Sequence, residues 1–159
     1  MNRQQQRRTV LKAGSGMGLL GVLAAMGLLP AGEAMAQQQW NAGAFGARSF
    51  ADAVKALGGA APTENKGILI TAPDIAENGL VVPVGVTSNI PKTESIAIMV
   101  EKNPNLLSAV FNIPSGTDPF VSTRVKLAES TDVYALVKAD GRYYFTKKEI
   151  KVTLGGCGG

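Results

Sequence analysis

The sequence predicts an all-β domain: an immunoglobulin-like β-sandwich of about seven strands, preceded by a short N-terminal helix. Two observations predict it. From residue 66 onward, apolar residues recur at every second position in short segments, and turn-forming residues separate these segments about every 8–12 residues. Both features are typical of two packed antiparallel sheets. The roughly 120 residues that follow a predicted export signal are enough to bury one apolar core.

A helix is predicted at residues 49–57. The Ser49 hydroxyl can accept hydrogen bonds from free N–H groups of the first turn, and Asp52, three residues on, gives a pattern similar to a capping box. One apolar stripe is formed by Phe50, Val54 and Leu57. Gly58 and Gly59 supply the stop. A helix of this length is not stable alone in water, so we expect it to pack on another element.

The strands are predicted from the apolar alternation and from the turns between them. They lie around residues 68–70 and at residues 80–88, 95–101, 108–113, 121–127, 132–138 and 143–154. Asn78-Gly79 predicts a turn before the second strand, and Asp140-Gly141 predicts the tight turn of a hairpin before the last. Pro83 has no N–H to donate, so we expect its strand to lie at a sheet edge or to contain a bulge.

Missing residue types exclude most kinds of active site. The chain contains no histidine, which excludes His general bases, Ser-His-Asp and Cys-His pairs, and imidazole metal ligands. Its single cysteine excludes an internal disulfide, a Cys-x-x-Cys redox pair, a thiolate zinc site and an iron–sulfur cluster. These absences exclude most self-contained enzymes and most carriers of a metal or cofactor.

The net charge does not indicate binding to nucleic acid. The formal net charge is +4, but residues 1–36 contain four basic residues and one acidic residue, so the remainder is nearly neutral. Nucleic-acid binding would need a clustered basic face. We expect no nucleic-acid partner.

Residues 1–36 are predicted to be an export signal. They consist of a basic head, an apolar Gly-rich middle and a small-residue end that fits the Ala-x-Ala cleavage pattern. Cleavage after Ala36 would leave Gln37 as the first residue of the mature protein. Arg7 and Arg8 resemble the twin-arginine export motif, and the alternative is an ordinary secretory signal. Either route predicts a periplasmic protein that no membrane segment holds after cleavage.

The C-terminal residues place the only thiol between glycines. These residues are Gly155, Gly156, Cys157, Gly158 and Gly159. Glycine has no side chain to bury and a high entropy cost of ordering, so we expect Cys157 to lie in solvent on a flexible arm. Full extension from Leu154 would carry its Cα about 10 Å beyond the last strand. Such an arm suits a substrate that is held covalently on sulfur and offered to other proteins.

Two functions are compatible with this exposed cysteine. The first is that of a covalent carrier that brings its cargo to several enzymes. The second is that of an exported Ig-like assembly subunit, in which Cys157 makes an interchain disulfide and links a homodimer.

The C-terminal pentapeptide resembles the carrier arm of the SoxY family, the sulfur-carrying subunits of SoxYZ complexes in thiosulfate oxidation. Four further segments are similar to the family: residues 72–79, 81–84, 123–127 and 137–141. The resemblance implies an Ig-like carrier that holds sulfur intermediates on Cys157 and needs no other cofactor. It also implies no catalytic residue and no metal in the chain, and a protein that is not an enzyme. It implies a SoxZ-like subunit as heterodimer partner and processing by the haem enzyme SoxXA, the hydrolase SoxB and, in some organisms, a sulfane dehydrogenase.

The predicted organisation has four parts. They are an export signal at residues 1–36, a flexible lead-in at residues 37–48, a SoxY-like domain at residues 49–154 and a carrier arm at residues 155–159.

Overall fold

The computed structural model describes residues 41–153, which contain two short helices and nine strands. The helices are α1 (Ala42–Phe45) and α2 (Phe50–Ala56). The strands are β1 (Thr63–Glu64), β2 (Ile68–Thr71), β3 (Ile75–Ala76), β4 (Val82–Ser88), β5 (Thr93–Val100), β6 (Leu107–Asn112), β7 (Phe120–Val125), β8 (Thr131–Ala139) and β9 (Arg142–Val152). Neither helix is long and apolar enough to cross a membrane.

The strands form two sheets. The larger sheet has the order β1-β9-β8-β5-β6, with β3 pairing β9 as well, and the smaller sheet has the order β2-β4-β7. The two-residue strands β1 and β3 run parallel to β9, whereas the other pairings are antiparallel. The prediction of an all-β, immunoglobulin-like sandwich with a short helix before it is confirmed.

The seven longer strands lie within one or two residues of the predicted ones at most ends. The hairpin turn between β8 and β9 is also confirmed, because Asp140 and Gly141 have φ values of 48° and 73° and Ala139 pairs with Arg142. The sequence analysis missed β1 and β3, since two residues are too few to show an alternation.

The expectation for Pro83 is corrected by the topology. Its strand, β4, is the central strand of the smaller sheet, and its pairing with β7 runs without a register shift from Val82 to Thr87. Pro83 is tolerated there because β2 pairs with β4 only as far as Gly85. At Pro83, therefore, a neighbouring strand is present on one side alone, as at a sheet edge.

The folded body begins earlier than predicted. Residues 41–48, assigned to a flexible lead-in, contain α1, whose Ala44 is fully buried. Asn41 caps this helix: its Oδ1 accepts from the Ala44 N–H at 2.9 Å, and its Nδ2 donates to the Ala56 carbonyl at 2.8 Å. The run of small alanines and glycines gave no apolar period, and so the sequence did not indicate a helix.

The helix α2 forms as the sequence predicts. The Ser49 hydroxyl accepts from the Asp52 N–H at 3.1 Å and donates to the Asp52 carboxylate at 2.7 Å. The helix ends before Gly58, whose φ of 83° lies in the left-handed region that glycine adopts without strain. The Tyr143 hydroxyl of β9 donates to the Leu57 carbonyl at 2.6 Å, which joins the end of α2 to the larger sheet.

Two apolar clusters hold these layers together. The first lies between the sheets and includes the fully buried Ile96, Ile98 and Val133. The second lies between the helices and the outer face of the larger sheet, where the Phe50 ring is 4.8 Å from Tyr134 and 5.3 Å from Phe145. The body therefore has three layers, and the central strands are covered on both faces.

Candidate functional site: the end of the last strand

The sequence-predicted site residues lie outside residues 41–153. They are Cys157, the arm glycines Gly155, Gly156, Gly158 and Gly159, the export residues Arg7 and Arg8, and the cleavage residues Ala36 and Gln37. The structure describes the chain up to Thr153, four residues before Cys157. We call residues 151–153, the end of β9 and the residue after it, the arm root.

One edge of the arm root is bound by β3 and the residues beside it. The Lys151 N–H donates to the Asp74 carbonyl at 2.9 Å, and the Thr153 N–H donates to the Ala76 carbonyl at 3.1 Å. The Thr153 hydroxyl adds a bond of 2.9 Å to the Glu77 carbonyl. Three hydrogen bonds thus bind this edge of the chain beyond Ile150, the residue at which the β8–β9 pairing ends.

The opposite edge is bound by one serine. The Ser130 hydroxyl accepts from the Val152 N–H at 2.9 Å, one residue before β8 begins. The hydroxyl therefore continues the β8–β9 ladder, whose last backbone pair joins Thr131 to Ile150. The N–H groups of the arm root bind alternately to the two sides, as in the interior of a sheet.

A lysine reinforces the contact between β9 and the segment that contains β3. The Lys148 ammonium lies 2.6 Å from the Ala72 carbonyl and 2.9 Å from the Asp74 carboxylate. Two residues further along each segment, Ile150 is fully buried and Ala76 is nearly buried. The arm root is consequently attached to the core through both polar and apolar contacts.

This anchoring limits where the thiol can go. Cys157 is four positions beyond Thr153 in the chain, so the two Cα atoms are at most about 13–14 Å apart.

The lysines near the end of β9 differ in their partners. Lys147 lies 2.6 Å from the Asp132 carboxylate, and this hydrogen bond raises the pKa of Lys147. Lys148 pairs with Asp74. In the part of the chain that the structure describes, Lys151 makes no ion pair, and its side chain is exposed. Of the three cations, Lys151 is thus the one that is available to an anion near the arm root.

The described residues offer little to hold a metal or a cofactor. Within residues 41–153, no group of three or more histidine, cysteine, aspartate or glutamate side chains is placed to hold a metal ion. A depression of about 470 Å³ is lined by residues of the 88–93 and 114–119 loops. Its Ser88 and Thr93 hydroxyls bind each other at 2.8 Å, and it lies at the end of β4 remote from residue 82.

Sequence reasoning missed the residues that hold the arm root. Ser130 and the backbone of β3 carry this role, and neither shows the alternation that identifies a strand. A usable signal was present nonetheless. Residues 72–79 are similar to the SoxY family although all of them lie outside the seven longer strands, and loop residues of that kind more often serve a specific role than core packing.

A family model and a solved structure indicate the same family. The family model described as "Sulfur oxidation protein SoxY" matches residues 53–157. The solved structure of the sulfur carrier protein SoxY from Chlorobium limicola f. thiosulfatophilum is 38% identical, covers 65% of this chain and 94% of its own, and has a TM-score of 0.60. No curated protein matches the sequence significantly.

A second solved structure is more distant. The superoxide reductase (neelaredoxin) of Ignicoccus hospitalis is 23% identical, covers 56% of this chain and 82% of its own, and has a TM-score of 0.49. A likeness of this size carries no argument about function.

Proposed function

Because the chain belongs to the SoxY family of sulfur oxidation proteins, we propose that it is the covalent carrier of a thiosulfate-oxidation pathway and that Cys157 holds the cargo. One observation carries this proposal. The family match extends to residue 157 and therefore includes the only cysteine of the chain. The neighbouring arm glycines add the steric access that a sulfur presented to several enzymes requires.

The proposed loading step joins two sulfur atoms. The Cys157 thiol and thiosulfate form a Cys–S–S–SO₃⁻ conjugate, one proton is released, and two electrons pass to the haem enzyme SoxXA. Hydrolysis by SoxB then adds water across the terminal S–S bond, which releases sulfate and two protons and leaves a Cys–S–S⁻ persulfide. A sulfane dehydrogenase oxidises that remaining sulfur in organisms that possess one.

The carrier contributes the attachment point and the partners contribute the catalysis. A chain without histidine has no imidazole to act as a general base, which supports the assignment as a carrier that is not itself an enzyme. The cations of the body support it too. Lys147 is paired with the Asp132 carboxylate and Lys148 with the Asp74 carboxylate, so neither ammonium is left without a counter-charge. A SoxZ-like subunit is proposed as the stable partner.

The proposed carrier works in the periplasm. Residues 1–36 supply the export signal, with Arg7-Arg8 directing the twin-arginine route and cleavage between Ala36 and Gln37. We expect N-terminal sequencing of periplasmic material to begin at Gln37. Replacement of Arg7 and Arg8 by lysine should block export, whereas unchanged export would favour the ordinary secretory route.

The experiment that tests the carrier function measures the mass of the intact protein. The chain is incubated with thiosulfate and the oxidising haem enzyme, and the Cys157→Ser variant serves as the control. We expect sulfur adducts on the native chain and none on the variant, since no other thiol exists. The free energy of unfolding of the variant should differ from that of the native protein by less than about 0.5 kcal/mol, as for a surface site.

Two outcomes would contradict the proposal. Thiosulfate-dependent turnover that persists in Cys157→Ser would place the cargo elsewhere. A native chain that takes up no sulfur and forms only a disulfide-linked dimer would favour the assembly subunit.

A further inference from the structure

Two peptide bonds of the chain join an asparagine or aspartate to a glycine: Asn78–Gly79 and Asp140–Gly141. At such a bond the glycine nitrogen can attack the carbonyl carbon of the preceding side chain, because glycine has no Cβ to crowd the five-membered ring that forms. The two sites differ in the hydrogen bonds that hold the reacting atoms. These hydrogen bonds therefore decide which of the two sites reacts.

The hydrogen bonds at Asn78–Gly79 favour attack. The Leu80 N–H donates to Asn78 Oδ1 at 2.8 Å. This bond polarises the side-chain carbonyl and stabilises the negative charge that Oδ1 gains during attack, as donors to a developing oxyanion do. Within residues 41–153, the Gly79 N–H donates to no acceptor and Asn78 Nδ2 makes no hydrogen bond. Neither the attacking nitrogen nor the leaving group is therefore held by a described residue.

The hydrogen bonds at Asp140–Gly141 oppose attack. The Gly141 N–H donates to the Glu94 carboxylate at 2.8 Å, so the nitrogen would have to give up this bond. The Asp140 carboxylate lies 3.0 Å from the Lys92 ammonium. A carboxylate that is ionised and paired is also a poorer electrophile than a neutral amide. The structure thus distinguishes two sites that the sequence alone presents as equivalent turns.

Asn78 lies between two attachment points of the backbone. The Glu77 carbonyl accepts from the Thr153 hydroxyl at 2.9 Å, and the Gly79 carbonyl accepts from the Leu127 N–H at 2.7 Å. One side of Asn78 is therefore bound to the arm root, and the other side is bound to the segment that follows β7. Asn78 itself is exposed to water, whereas Gly79 is buried.

We propose that Asn78 is a site of spontaneous deamidation and isomerisation, and that its isoaspartyl product loosens the arm root. The Gly79 nitrogen loses its proton and bonds to Asn78 Cγ, and the side-chain amide leaves as ammonia, which gives a succinimide. Water then adds across one of the two C–N bonds of the ring. Cleavage of the bond to Cγ gives aspartate, and cleavage of the bond to the backbone carbonyl gives isoaspartate. Water is the only co-reactant, and nothing is oxidised or reduced.

The isoaspartyl product changes the length of the backbone. In isoaspartate the main chain runs through Cβ and contains one more carbon. Gly79 is buried and bound to Leu127, so the added length is accommodated on the side of Glu77 and Ala76. The carbonyls of these two residues accept the two hydrogen bonds of Thr153. Conversion therefore weakens the bonds that hold the last residue of the arm root.

The test uses a matched control within the same chain. Asn65 Oδ1 accepts from the Gly67 N–H at 2.8 Å, the same bond to the second residue along the chain, but Lys66 takes the place of the glycine. The full-length protein is incubated at mildly alkaline pH and digested, and mass spectrometry follows the conversion of each asparagine. Isoaspartate is identified with an isoaspartyl methyltransferase, which methylates the carboxylate of that residue.

We expect Asn78 to convert at least about tenfold faster than Asn65, which is a modest difference in activation free energy. The rate should rise with pH, because the Gly79 nitrogen must lose its proton. Asn78→Ser should show no conversion at this position, since its hydroxyl can accept the same N–H but cannot form the ring. Hydrogen exchange at the Thr153 amide should be faster in the isoaspartyl protein. It should stay native in Asn78→Asp, which has the added charge without the added carbon.

Three outcomes would overturn the inference. Equal rates of conversion at Asn78 and Asn65 would show that the first site is not activated. Isoaspartate at residue 78 with native exchange at the Thr153 amide would show that the arm root does not respond. Equally fast exchange in Asn78→Asp would show that the charge, and not the backbone length, has the effect. These measurements do not involve the cargo of Cys157, so the failure of this inference and the failure of the proposed function are distinct.

Discussion

The two ends of β9 are held by different kinds of contact. At its beginning, Tyr143 and Phe145 pack beneath α2, and the Tyr143 hydroxyl binds the end of that helix. At its end, the arm root is held by hydrogen bonds to β3 and to Ser130, with exposed apolar side chains close by. The first set of contacts contributes mainly to the stability of the fold. The second set fixes the point from which the chain continues toward Cys157.

The difference has a consequence for mutation. Apolar packing contributes to the free energy of unfolding roughly in proportion to buried area, whereas one hydrogen bond contributes a net of about 1 kcal/mol. Substitutions at the beginning of β9 should therefore change stability most. Substitutions at the arm root and beyond it should change local order or sulfur transfer with a smaller effect on stability.

The largest effect is expected in the arm, beyond the C-terminal end of β9. Gly156→Val and Gly158→Val add width and stiffness beside the sulfur, because β-branching restricts the backbone and the side chain. We expect each variant to slow sulfate release by the hydrolase about 10²-fold, since small misplacements of a reacting group have effects of this size. The free energy of unfolding should stay unchanged.

The control for this prediction separates access to enzymes from access to small molecules. Iodoacetamide should alkylate Cys157 in the valine variants at nearly the native rate, and Gly156→Ala should give an intermediate rate of sulfate release. A parallel loss of alkylation would indicate local burial of the thiol. Unchanged sulfate release would mean that the glycines act only as a tether.

The sequence was sufficient for the elements that make the contacts of the first kind, and insufficient for the contacts of the second kind. Apolar alternation and turn residues predicted the seven longer strands, and Ser49 with its stripe predicted α2. The pairing of β3 with β9 joins residues about 75 positions apart and leaves no periodic signal. The capping of β9 by Ser130 is likewise visible only once both strands are in place, because a hydroxyl can bind backbone groups in many conformations.

The smaller sheet shows the same limit. Proline at residue 83 was interpreted from its own chemistry, which predicted an edge strand or a bulge. The position of a strand in a sheet depends on the length of its neighbours, and β2 is short enough to leave Pro83 unpaired on one side of a central strand. Local chemistry therefore predicted the local environment of Pro83 and not the topology.

A substitution at the beginning of β9 tests the first half of the comparison. Phe145→Ala removes a half-buried ring that lies 5.3 Å from Phe50 and 6.3 Å from Tyr134. We expect the free energy of unfolding to fall by about 2 kcal/mol, less than for a fully buried phenylalanine. Phe120→Ala is the matched control, because that ring is 55% exposed and its loss should cost no more than about 0.5 kcal/mol. Urea denaturation measures the free energy of unfolding of both variants. Equal losses would contradict the view that the contacts at the beginning of β9 contribute mainly to stability.

The smallest effect is expected at the arm root itself. Ser130→Ala leaves the Val152 N–H without its 2.9 Å acceptor, and an unpaired, partly buried N–H costs about 1 kcal/mol. Because β3 still binds the neighbouring residues 151 and 153, the strand should stay in place while its outer edge loosens. We therefore expect faster hydrogen exchange at the Val152 amide and unchanged exchange at the Phe145 amide, measured by NMR against Ser122→Ala, an exposed serine of β7. Loss of protection along the whole of β9 would show that its two ends form one cooperative unit. Unchanged protection at Val152 would show that β3 alone holds the arm root.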